Sequence, residues 1–402
     1  MRRKRVLSAE SEGVDAAARE AARSDGGTSL FVAQLKLTHF RNYATAELRL
    51  DQRPVVLVGD NGAGKTNLLE AVSLLGPGSG LRARPLAELS RQGGQAGFAI
   101  AARVMSRHGE VEVGTGVERA SEAASRIVRI CGKDGSPGGL GDYVKLVWLI
   151  PAMDGLFTGP ASERRRFLDR LMLAIDPKMR GPRARYDRAM RQRNRLFQLR
   201  EGSPALFAGL EEQMAEAGVA IAAARLDAVA RLGRLIEDAV AKRGLGPFPY
   251  ASLFLEGTLE AALSERPAVE VEDDYRRALS DCRDLDRAAS RALAGPHLSD
   301  LIVVHGPHNA LAETCSSGEQ KALLLGLVLA QAELIKEVEG ASPLLLLDEV
   351  AAHLDQTRRE ALFAEILRLK PQAWMTGTDG ELFAAIAADA QILTVNQGKI
   401  KA

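Results

Sequence analysis

The chain has 402 residues, of which 46% are hydrophobic and 26% charged, and its 53 lysines and arginines almost balance its 52 aspartates and glutamates. This length predicts two or three domains, and the apolar content is enough for packed cores, which excludes collagen-like, fibrous and wholly disordered proteins. The longest unbroken apolar run, Ala322 to Ala330, is far shorter than the ~20 residues that cross a bilayer, so we expect no membrane span and no membrane partner.

Cysteine usage indicates the compartment. Cys131, Cys282 and Cys315 lie far apart and form no C-x-x-C pair. This usage is typical of a reducing compartment and argues against disulfides and structural zinc. The basic first five residues are not followed by an apolar segment of the kind found in secretory signals. We therefore expect a cytoplasmic protein.

The first part of the chain, in sequence order, predicts a tail and then an α/β domain. Residues 1–30 show no sustained apolar face and are interpreted as a disordered tail. Residues 31–160 contain alternating apolar and polar runs typical of half-buried strands, and a fully buried strand at Pro54–Val58. From Phe98 to Ile150, short strand-like pieces separated by glycine, serine and proline predict an antiparallel meander.

The second part predicts a mainly helical insert and a return to the α/β domain. Residues 161–294 have mostly helical periodicity, with long runs at Ala205–Lys242 and Asp274–Ala294. Prolines and aromatic residues near Tyr250 mark a turn or strand pair inside this insert. Residues 295–402 read as strand, helix and strand again. The predicted fold class is therefore α/β, with one domain of mixed sheets and helices split by a helical second lobe.

A glycine-rich loop follows the buried strand. Residues 59–66, GDNGAGKT, match the pattern G-x-x-x-x-G-K-[ST] and precede an apolar helix predicted at Asn67–Leu75. In such a loop the backbone amides wrap phosphates, the lysine reaches the β- and γ-phosphates, and the threonine hydroxyl binds Mg²⁺. The bland alternative is a glycine turn with an exposed lysine. The candidate nucleotide ligands are Gly59, Asn61, Gly62, Gly64, Lys65, Thr66 and Asn67.

An acidic pair follows a second buried strand. Leu344–Leu347 delivers Asp348 and Glu349 at the carboxyl end of its strand, where α/β sheets bind ligands. Asp348 is the candidate that holds Mg²⁺ through water, and Glu349 the candidate that orients and deprotonates the attacking water. Alternatively, these are two surface acids after a leucine-rich strand.

A third motif stands at the start of an apolar helix. Residues 315–321, CSSGEQK, contain ordinary capping residues, with Ser316 or Ser317 as N-cap and Glu319 in the first turn. The segment also resembles the signature motif of ATP-binding-cassette ATPases, in which the serine and helix N-terminus of one subunit close over the γ-phosphate held by the other. Both interpretations stay open, and the second makes Ser316 and Gly318 candidate nucleotide contacts.

Five segments together carry a pattern more specific than a phosphate-binding loop. They are residues 40–43 (FRNY), 59–71 (GDNGAGKTNLLEA), 163–169 (ERRRFLD), 295–297 (GPH) and 348–355 (DEVAAHLD). Together they resemble the RecF family of bacterial recombination-repair proteins, over roughly residues 32 to 398. The continuation of the loop into TNLLE, with FRNY upstream, distinguishes this family from many other ATPases.

The resemblance implies an ATP-binding-cassette ATPase head like those of SMC proteins, with a short helical lobe instead of long coiled coils. It implies ATP and Mg²⁺ as cofactors, and an ATP-dependent homodimer that binds single- and double-stranded DNA at gaps. Slow, weak DNA-stimulated hydrolysis would release the DNA, and RecO and RecR would be partners in placing RecA. Carried over to this chain, the implied functional residues are Lys65, Thr66, Asp348, Glu349, Ser316, Gly318 and Asp355.

Three departures from such patterns are visible. The family's GPHRDD segment reads GPHLSD at residues 295–300, so its arginine has no counterpart here. Residues 150–154 (IPAMD) lack the glutamine, and residues 375–378 (MTGT) lack the switch histidine, that many cassette ATPases have. Because fewer groups polarise the γ-phosphate and water, we expect turnover toward or below the ~1 to 10³ s⁻¹ usual for enzymes, as suits a timed switch.

The net charge of +1 conceals one strongly basic segment. Arg180 to Arg200 contains eight arginines and a single acid, Asp187, so it carries +7 and leaves −6 for the rest of the chain. Such a segment forms either a solvated helix face or contacts to nucleic-acid phosphates, where each neutralised phosphate releases counterions. One acid in the segment leaves little local pairing. The candidate DNA contacts are Arg185, Arg188, Arg191 and Arg195.

The histidines do not predict a further metal site. His305 and His308 are three positions apart, but no third ligand with zinc-like spacing accompanies them. Hydrogen-bonding roles are therefore the interpretation for these residues, and no metal beyond Mg²⁺ is predicted.

Two other classes of protein share parts of the pattern. A transporter's cassette subunit has the same three motifs, but here Lys65 and Gly318 are 253 positions apart, with a helical domain between them. The glutamine and histidine that such motors use for coupling are also missing. A structural SMC-like linker would need two long heptad arms, whereas the insert has room for only ~50 helical residues each way, ~75 Å.

Overall fold

The computed structural model describes residues 29–91, 96–119 and 125–401. The predicted tail, residues 1–30, lies almost entirely outside the described residues. Contacts between Cα atoms divide the chain into two compact units: residues up to Met153 together with those from Ala332 onward, and Asp154–Gln331. The domain boundaries predicted at residues 160 and 294 stay a prediction, because a compact unit need not coincide with a functional domain.

The strands and helices are named here in chain order. The strands are β1 (Phe31–Phe40), β2 (Tyr43–Arg49), β3 (Val55–Val58), β4 (Ala96–Ser106), β5 (Gly109–Arg119), β6 (Ile127–Ile130), β7 (Lys133–Gly135), β8 (Leu146–Leu149), β9 (Ala251–Glu256), β10 (Asp300–His305), β11 (Ala310–Leu311), β12 (Leu344–Leu347), β13 (Ala373–Gly377), β14 (Gln391–Asn396) and β15 (Lys399–Lys401). The α-helices are α1 (Lys65–Ser73), α2 (Ala161–Ile175), α3 (Arg180–Leu199), α4 (Pro204–Arg243), α5 (Thr258–Glu265), α6 (Ala268–Asp281), α7 (Arg283–Ala289), α8 (Ser317–Glu339) and α9 (Gln356–Leu369).

The first unit contains two six-stranded sheets. One is antiparallel, in the order β2-β1-β4-β5-β6-β7, and the other has the order β15-β14-β3-β13-β12-β8 with every neighbouring pair parallel except β14 and β15. β1 alternates buried Leu35 and Leu37 with exposed neighbours, whereas β12 is buried on both faces, as its leucine run predicts. Leu68 of α1 and Trp374 belong to the same hydrophobic cluster as Leu35, so α1 is packed into the core that the two sheets share.

The predicted meander is confirmed for β4 to β6 and wrong for its last strand, and β7 was not predicted. β8 pairs in parallel with β12, and Leu146 lies opposite Leu344 at the edge of the second sheet. A short apolar run fits a buried strand of either sheet, and periodicity does not identify a partner that lies far along the chain. The strand therefore had the predicted type but not the predicted neighbours.

The second unit consists of α2 to α7, a small sheet in the order β11-β10-β9, and the first part of α8. The helix predicted at Ala205–Lys242 is confirmed as α4. Its bounds follow from ordinary signals, because the Ser203 side chain accepts a hydrogen bond from the Leu206 amide, Pro204 is the first helical residue, and Gly244 follows the last turn with φ 75°. Of the described helices, none is long and apolar enough to cross a membrane.

Two predictions inside this unit need correction. The helical run predicted at Asp274–Ala294 breaks at Cys282 and ends at Ala289, where Ser290 takes a left-handed conformation with φ 55°. A turn or strand pair was expected near Tyr250 inside the insert; the strand pair is not internal, because β9 pairs with β10, which begins after residue 294. Single-sequence patterns locate such elements but not their partners.

Candidate nucleotide site

The glycine-rich loop between β3 and α1 is shaped by close backbone approaches. Gly64, with φ 118°, precedes the helix, and a Cβ atom there would lie 2.4 Å from the side-chain nitrogen of Asn42 and 2.8 Å from the Tyr43 hydroxyl. A Cβ on Gly59 would lie 2.1 Å from the carbonyl oxygen of Val395. Glycine is therefore required at both positions, because the loop packs directly against these neighbours.

Lys65 lies inside this loop. The residue is 4% exposed, and its ammonium donates hydrogen bonds to the carbonyl oxygens of Gly59 and Asp60, the second at 2.9 Å. Asn61 and Gly62 form the exposed tip, where Gly62 has φ 79° and open space around its Cα. The loop thus places a cation and a run of backbone amides at the N-terminus of α1, an arrangement suited to anions.

The central contact of the site joins two predicted residues that are 282 positions apart. The Thr66 hydroxyl donates to the Asp348 carboxylate at 2.9 Å. β13 lies between β3 and β12, so the loops that follow these parallel strands meet at one sheet edge. The Thr376 hydroxyl, at the end of β13, donates to the same Asp348 oxygen at 2.8 Å. A hydroxyl and a carboxylate are oxygen ligands of the kind that Mg²⁺ prefers.

Glu349 is held through its backbone. Its amide donates to the Thr376 hydroxyl at 2.8 Å, and its φ of 55° and ψ of 19° lie in the left-handed region, which is sparsely occupied by residues other than glycine. The side chain is half-buried. The Glu349 backbone is thus tied to Thr376, the residue that also contacts Asp348.

Asn42 of the FRNY segment, residues 40–43, forms hydrogen bonds with the glycine-rich loop and with α1. Asn42 donates to the carbonyl oxygen of Ala63 at 3.0 Å and accepts a hydrogen bond from Asn67 at 2.8 Å. These contacts connect the hairpin between β1 and β2 to both the loop and the first turn of α1. Asn67 was predicted as a nucleotide ligand, and in the structure its amide nitrogen is committed to Asn42.

Two further residues of that hairpin fix α1. Arg41 forms a two-pronged ion pair with Glu70, at 2.8 and 3.0 Å, and the Glu70 side chain is only 3% exposed. The Tyr43 hydroxyl donates to the Gly64 carbonyl at 3.0 Å, and burial raises the pKa of Tyr43 well above its usual range. Sequence reasoning used these residues only as marks of a family, and it missed Thr376 as part of the site.

The predicted signature segment forms a capping box. The backbone amide and hydroxyl of Ser316 donate to the Glu319 carboxylate at 2.9 and 2.6 Å, and the Glu319 amide lies 3.4 Å from the Ser316 hydroxyl oxygen. These hydrogen bonds lower the pKa of Glu319. Gly318, in the first turn of α8, has open space around it. The capping interpretation is thus confirmed, while the role of Ser316 and Gly318 across a dimer stays a prediction.

In the structure, Glu319 lies beside His305 and His308, the two histidines for which the sequence offered no third ligand. A carboxylate oxygen of Glu319 lies 3.3 Å from His308 Nδ1, and candidate ligand atoms of His305, His308 and Glu319 all lie within 4.8 Å of one another. The other Glu319 oxygen is committed to Ser316, and His305 Nδ1 accepts a hydrogen bond from the His308 amide at 3.3 Å. Hydrogen bonds account for the arrangement.

The basic segment forms α3, and its arginines are of two kinds. Arg193 is fully buried and forms ion pairs with Glu211, at 3.1 Å, and with Asp286. Arg185 pairs with Glu216 at 3.0 Å, and Arg183 pairs with two aspartates. The prediction of little pairing within the segment is confirmed, since among the described residues only Asp187 pairs there. These three arginines are nevertheless not free, because their other partners come from other helices.

The remaining candidate DNA contacts share one exposed face. Arg188, Arg191 and Arg195 are exposed and, among the described residues, form no ion pair. Their spacing of three and four positions places them on one side of α3.

Asp355, the remaining predicted residue, caps α9, because its carboxylate accepts a hydrogen bond from the Arg358 amide at 2.8 Å.

Comparison with known proteins identifies relatives along nearly the whole chain. Residues 31–401 match the family model of the RecF/RecN/SMC N terminal domain. The DNA replication and repair protein RecF of Mesorhizobium japonicum is 53% identical over 371 residues, which cover 92% of this chain and 97% of that protein. The same protein of Rhizobium leguminosarum bv. trifolii is 51% identical, covering 92% of this chain and 98% of its own.

Solved structures give the same result for the fold. A structure of the recombination mediator protein RecF-ATPrS of the RecFOR pathway aligns with a TM-score of 0.80 and 21% identity, and covers 93% of this chain and 98% of its own. The predicted fold class, an α/β head with mixed sheets and helices, is confirmed, and so is the family resemblance.

Proposed function

Because this chain belongs to the RecF family of DNA replication and repair proteins, we propose that it is an ATP-dependent DNA clamp that hydrolyses ATP slowly to release DNA. The observation that carries the proposal is the contact between Thr66 and Asp348 at the mouth of the glycine loop. A structural glycine turn has no need of a hydroxyl and a carboxylate brought together from 282 positions apart. The name RecF-ATPrS of the related structure supports ATP as the nucleotide.

Several groups of the site fit a nucleotide and its metal. The backbone amides of the loop would bind a phosphate chain, and Lys65 supplies the compensating charge. Gly59 and Gly64 let the loop pack closely against Val395 and Asn42. Thr66 and Asp348 are the residues that would hold Mg²⁺. When bound, Mg²⁺ neutralises charge on the phosphates that the loop surrounds.

The acidic pair divides the work of hydrolysis. Asp348 is oriented by two hydroxyl donors, whereas the half-buried Glu349 side chain accepts no hydrogen bond from the described residues and is available to accept a proton from water. Residues 375–378 offer Thr376 instead of an imidazole, and its hydroxyl is occupied on both sides. With fewer groups acting on the water, turnover is slow, and single-turnover measurement with DNA present tests this; rapid DNA-independent hydrolysis would contradict it.

The clamp requires two copies of the chain. Ser316 and Gly318, at the tip of α8, would close over the nucleotide held by the other copy, and Asp355 would contact the opposing site. Arg188, Arg191 and Arg195 would contact DNA phosphates of single- or double-stranded segments at a gap. RecO and RecR are the proposed partners, with RecA as the protein that is finally placed on the DNA.

Size-exclusion chromatography with gapped DNA tests this proposal directly. Wild type should run as a monomer without nucleotide and as a DNA-bound dimer with ATP, and Glu349→Gln should accumulate the dimer because it hydrolyses poorly. Ser316→Arg should prevent dimerisation yet still bind nucleotide, which separates the two steps. A protein that stays monomeric and does not bind duplex DNA at saturating non-hydrolysable nucleotide and Mg²⁺ would contradict the proposal.

The two alternative classes are disfavoured by separate observations. Relatives that match over 92% of the chain are named as DNA replication and repair proteins, which argues against a transporter subunit. The longest described helix, α4, has 40 residues, about 60 Å, and its neighbour α3 has 20. A structural linker would need two long matching arms.

A further inference from the structure

Two of the family segments, residues 163–169 and 295–297, have no part in the nucleotide site, and both line one cavity in the second unit. The cavity has a volume of about 180 Å³ and is walled by α2, α3, α4 and the turn before β10. Since a water molecule occupies roughly 30 Å³ of liquid, this space holds several waters or one tetrahedral oxyanion.

The cavity is lined by more arginines than carboxylates, although Glu163 pairs with Arg166 and Glu260 lies 3.8 Å from Arg225 outside the lining. Its lining includes four arginines and only two carboxylates, namely Arg165, Arg166, Arg183, Arg225, Asp169 and Asp187. Asp169 accepts hydrogen bonds from Arg225 at 2.8 and 3.0 Å with both side chains buried, and it also pairs with Arg183. Asp187 pairs with Arg183 at 3.3 Å. The two acids are thus paired with Arg183 and Arg225.

Nearby carboxylates only partly offset the charge of Arg165, since Asp300 and Asp169 act on its pKa in the direction opposite to Arg225. Arg165 is half-buried, it donates to the carbonyl oxygen of Ser299 at 2.8 Å, and among the described residues it forms no ion pair. Burial, and next the positive charge of Arg225, lower the pKa of Arg165. An anion in the cavity would relieve both effects, since it would replace lost hydration and offset the neighbouring cation.

The second segment shapes the wall rather than adding charge. Gly295 has φ 130°, and a Cβ atom there would lie 2.1 Å from the Tyr275 hydroxyl and 2.3 Å from the Tyr186 hydroxyl. The Tyr186 hydroxyl lies 2.8 Å from His297 Nδ1, and His297 Nε2 lies 3.1 Å from the Ala292 carbonyl oxygen. His297 thus bridges the Tyr186 hydroxyl and the Ala292 carbonyl, and burial lowers its pKa. The glycine and histidine of the segment fix the tyrosine that bounds the cavity.

We propose that this cavity is a phosphate-binding site, with Arg165 as its principal ligand and the more exposed Arg166 at its mouth. A guanidinium presents planar paired donors that match phosphate oxygens. The phosphate comes either from a DNA backbone or from a soluble phosphate compound, and the chemistry that recognises it is the same.

Titration calorimetry with inorganic phosphate, against chloride at equal ionic strength, tests the site without DNA or nucleotide. All proteins carry Lys65→Ala, so that the glycine loop contributes little. Arg165→Gln should weaken phosphate binding roughly tenfold or more, since it removes a charge-assisted contact. The matched control is Arg231→Gln, which removes the same charge from an exposed α4 residue paired with Asp227, and should leave binding unchanged. Circular dichroism melts establish that each variant is folded.

A second arm identifies the source of the phosphate. With Lys65 intact and a non-hydrolysable nucleotide present, the salt dependence of duplex DNA affinity is measured for wild type, Arg165→Gln and Arg231→Gln. A slope lowered by about one unit in Arg165→Gln alone assigns the site to a DNA phosphate. An unchanged slope with lost phosphate binding assigns it to a soluble phosphate compound. The inference is overturned if Arg165→Gln matches its parent protein in both arms, whatever the outcome for nucleotide-dependent dimerisation.

Discussion

The nucleotide site and α3 both gather charged residues, but they do so in opposite ways. At the nucleotide site the charged and hydroxyl groups other than Thr376 sit in short contiguous motifs, and the fold only has to bring three neighbouring strand ends together. On α3, one motif-like run of arginines is divided by the fold into buried ion pairs and a free exposed face. The same residue type thus serves stability on one side of a helix and is free for binding on the other.

The largest expected effect concerns the first of these regions. Glu349→Gln removes the proposed proton acceptor and should lower the hydrolysis rate about 10²- to 10⁴-fold, while nucleotide binding is retained. Pre-steady-state measurement of phosphate release, with nucleotide affinity measured in parallel, checks this. Glu360→Gln, an exposed change on α9, is the control. Equal hydrolysis by Glu349→Gln and wild type would remove Glu349 from the reaction.

Stability should separate the two kinds of arginine on α3. Arg193→Ala leaves Glu211 and Asp286 buried without this partner and should lower the free energy of unfolding by about 3–5 kcal/mol. Arg191→Ala, two positions earlier on the exposed face, should change it by less than about 0.5 kcal/mol. Urea unfolding of both variants measures the difference. Similar losses in the two variants would show that burial does not distinguish them.

DNA binding, unlike stability, should depend on the exposed arginines of α3. Replacing Arg188, Arg191 and Arg195 together by alanine should lower the slope of log affinity against log salt by about one unit for each arginine that contacts a phosphate. Duplex DNA titrations between low and physiological salt, with nucleotide present, give the slope. Arg231, Arg276 and Arg287, exposed arginines of other helices, make a control triple of equal charge. An unchanged slope would remove this face from the DNA surface.

The smallest effect is a pH dependence in the second unit. Burial lowers the pKa of His297 below its ordinary value of about 6.5, so the folded protein holds this residue neutral at a pH where the unfolded chain protonates it. The resulting stability is present above pH ~6.5 and is lost as the pH falls below it. His297→Asn should flatten this fall in the free energy of unfolding between pH 7.5 and 5.5, and exposed His353→Asn should not. Parallel pH profiles for wild type and His297→Asn would contradict the assignment.

Sequence patterns predicted individual strands and helices better than they predicted which strands pair with one another. The buried strands β3 and β12, the loop and α4 could be found because their signals are local: apolar runs, glycine spacing and capping residues. The parallel partner of β8 and the pairing of β9 with β10 depend on residues far along the chain, and no local pattern encodes them.

The same limit explains what was missed at the site. Thr66 and Asp348 were found separately as parts of motifs, whereas Thr376 belongs to no motif and matters only because β13 lies between the other two strands. The acids that neutralise Arg193 come from α4 and from α7, so composition within α3 overestimated its free charge.

Thr376 also couples the position of Glu349 to that of Asp348. Its hydroxyl accepts a hydrogen bond from the Glu349 backbone amide and donates one to the Asp348 carboxylate, each at 2.8 Å. A displacement of the Asp348 carboxylate therefore either shifts the backbone turn at Glu349, through the Thr376 oxygen, or breaks one of these two hydrogen bonds. A valine in place of Thr376 would remove both hydrogen bonds, whereas a serine would keep them.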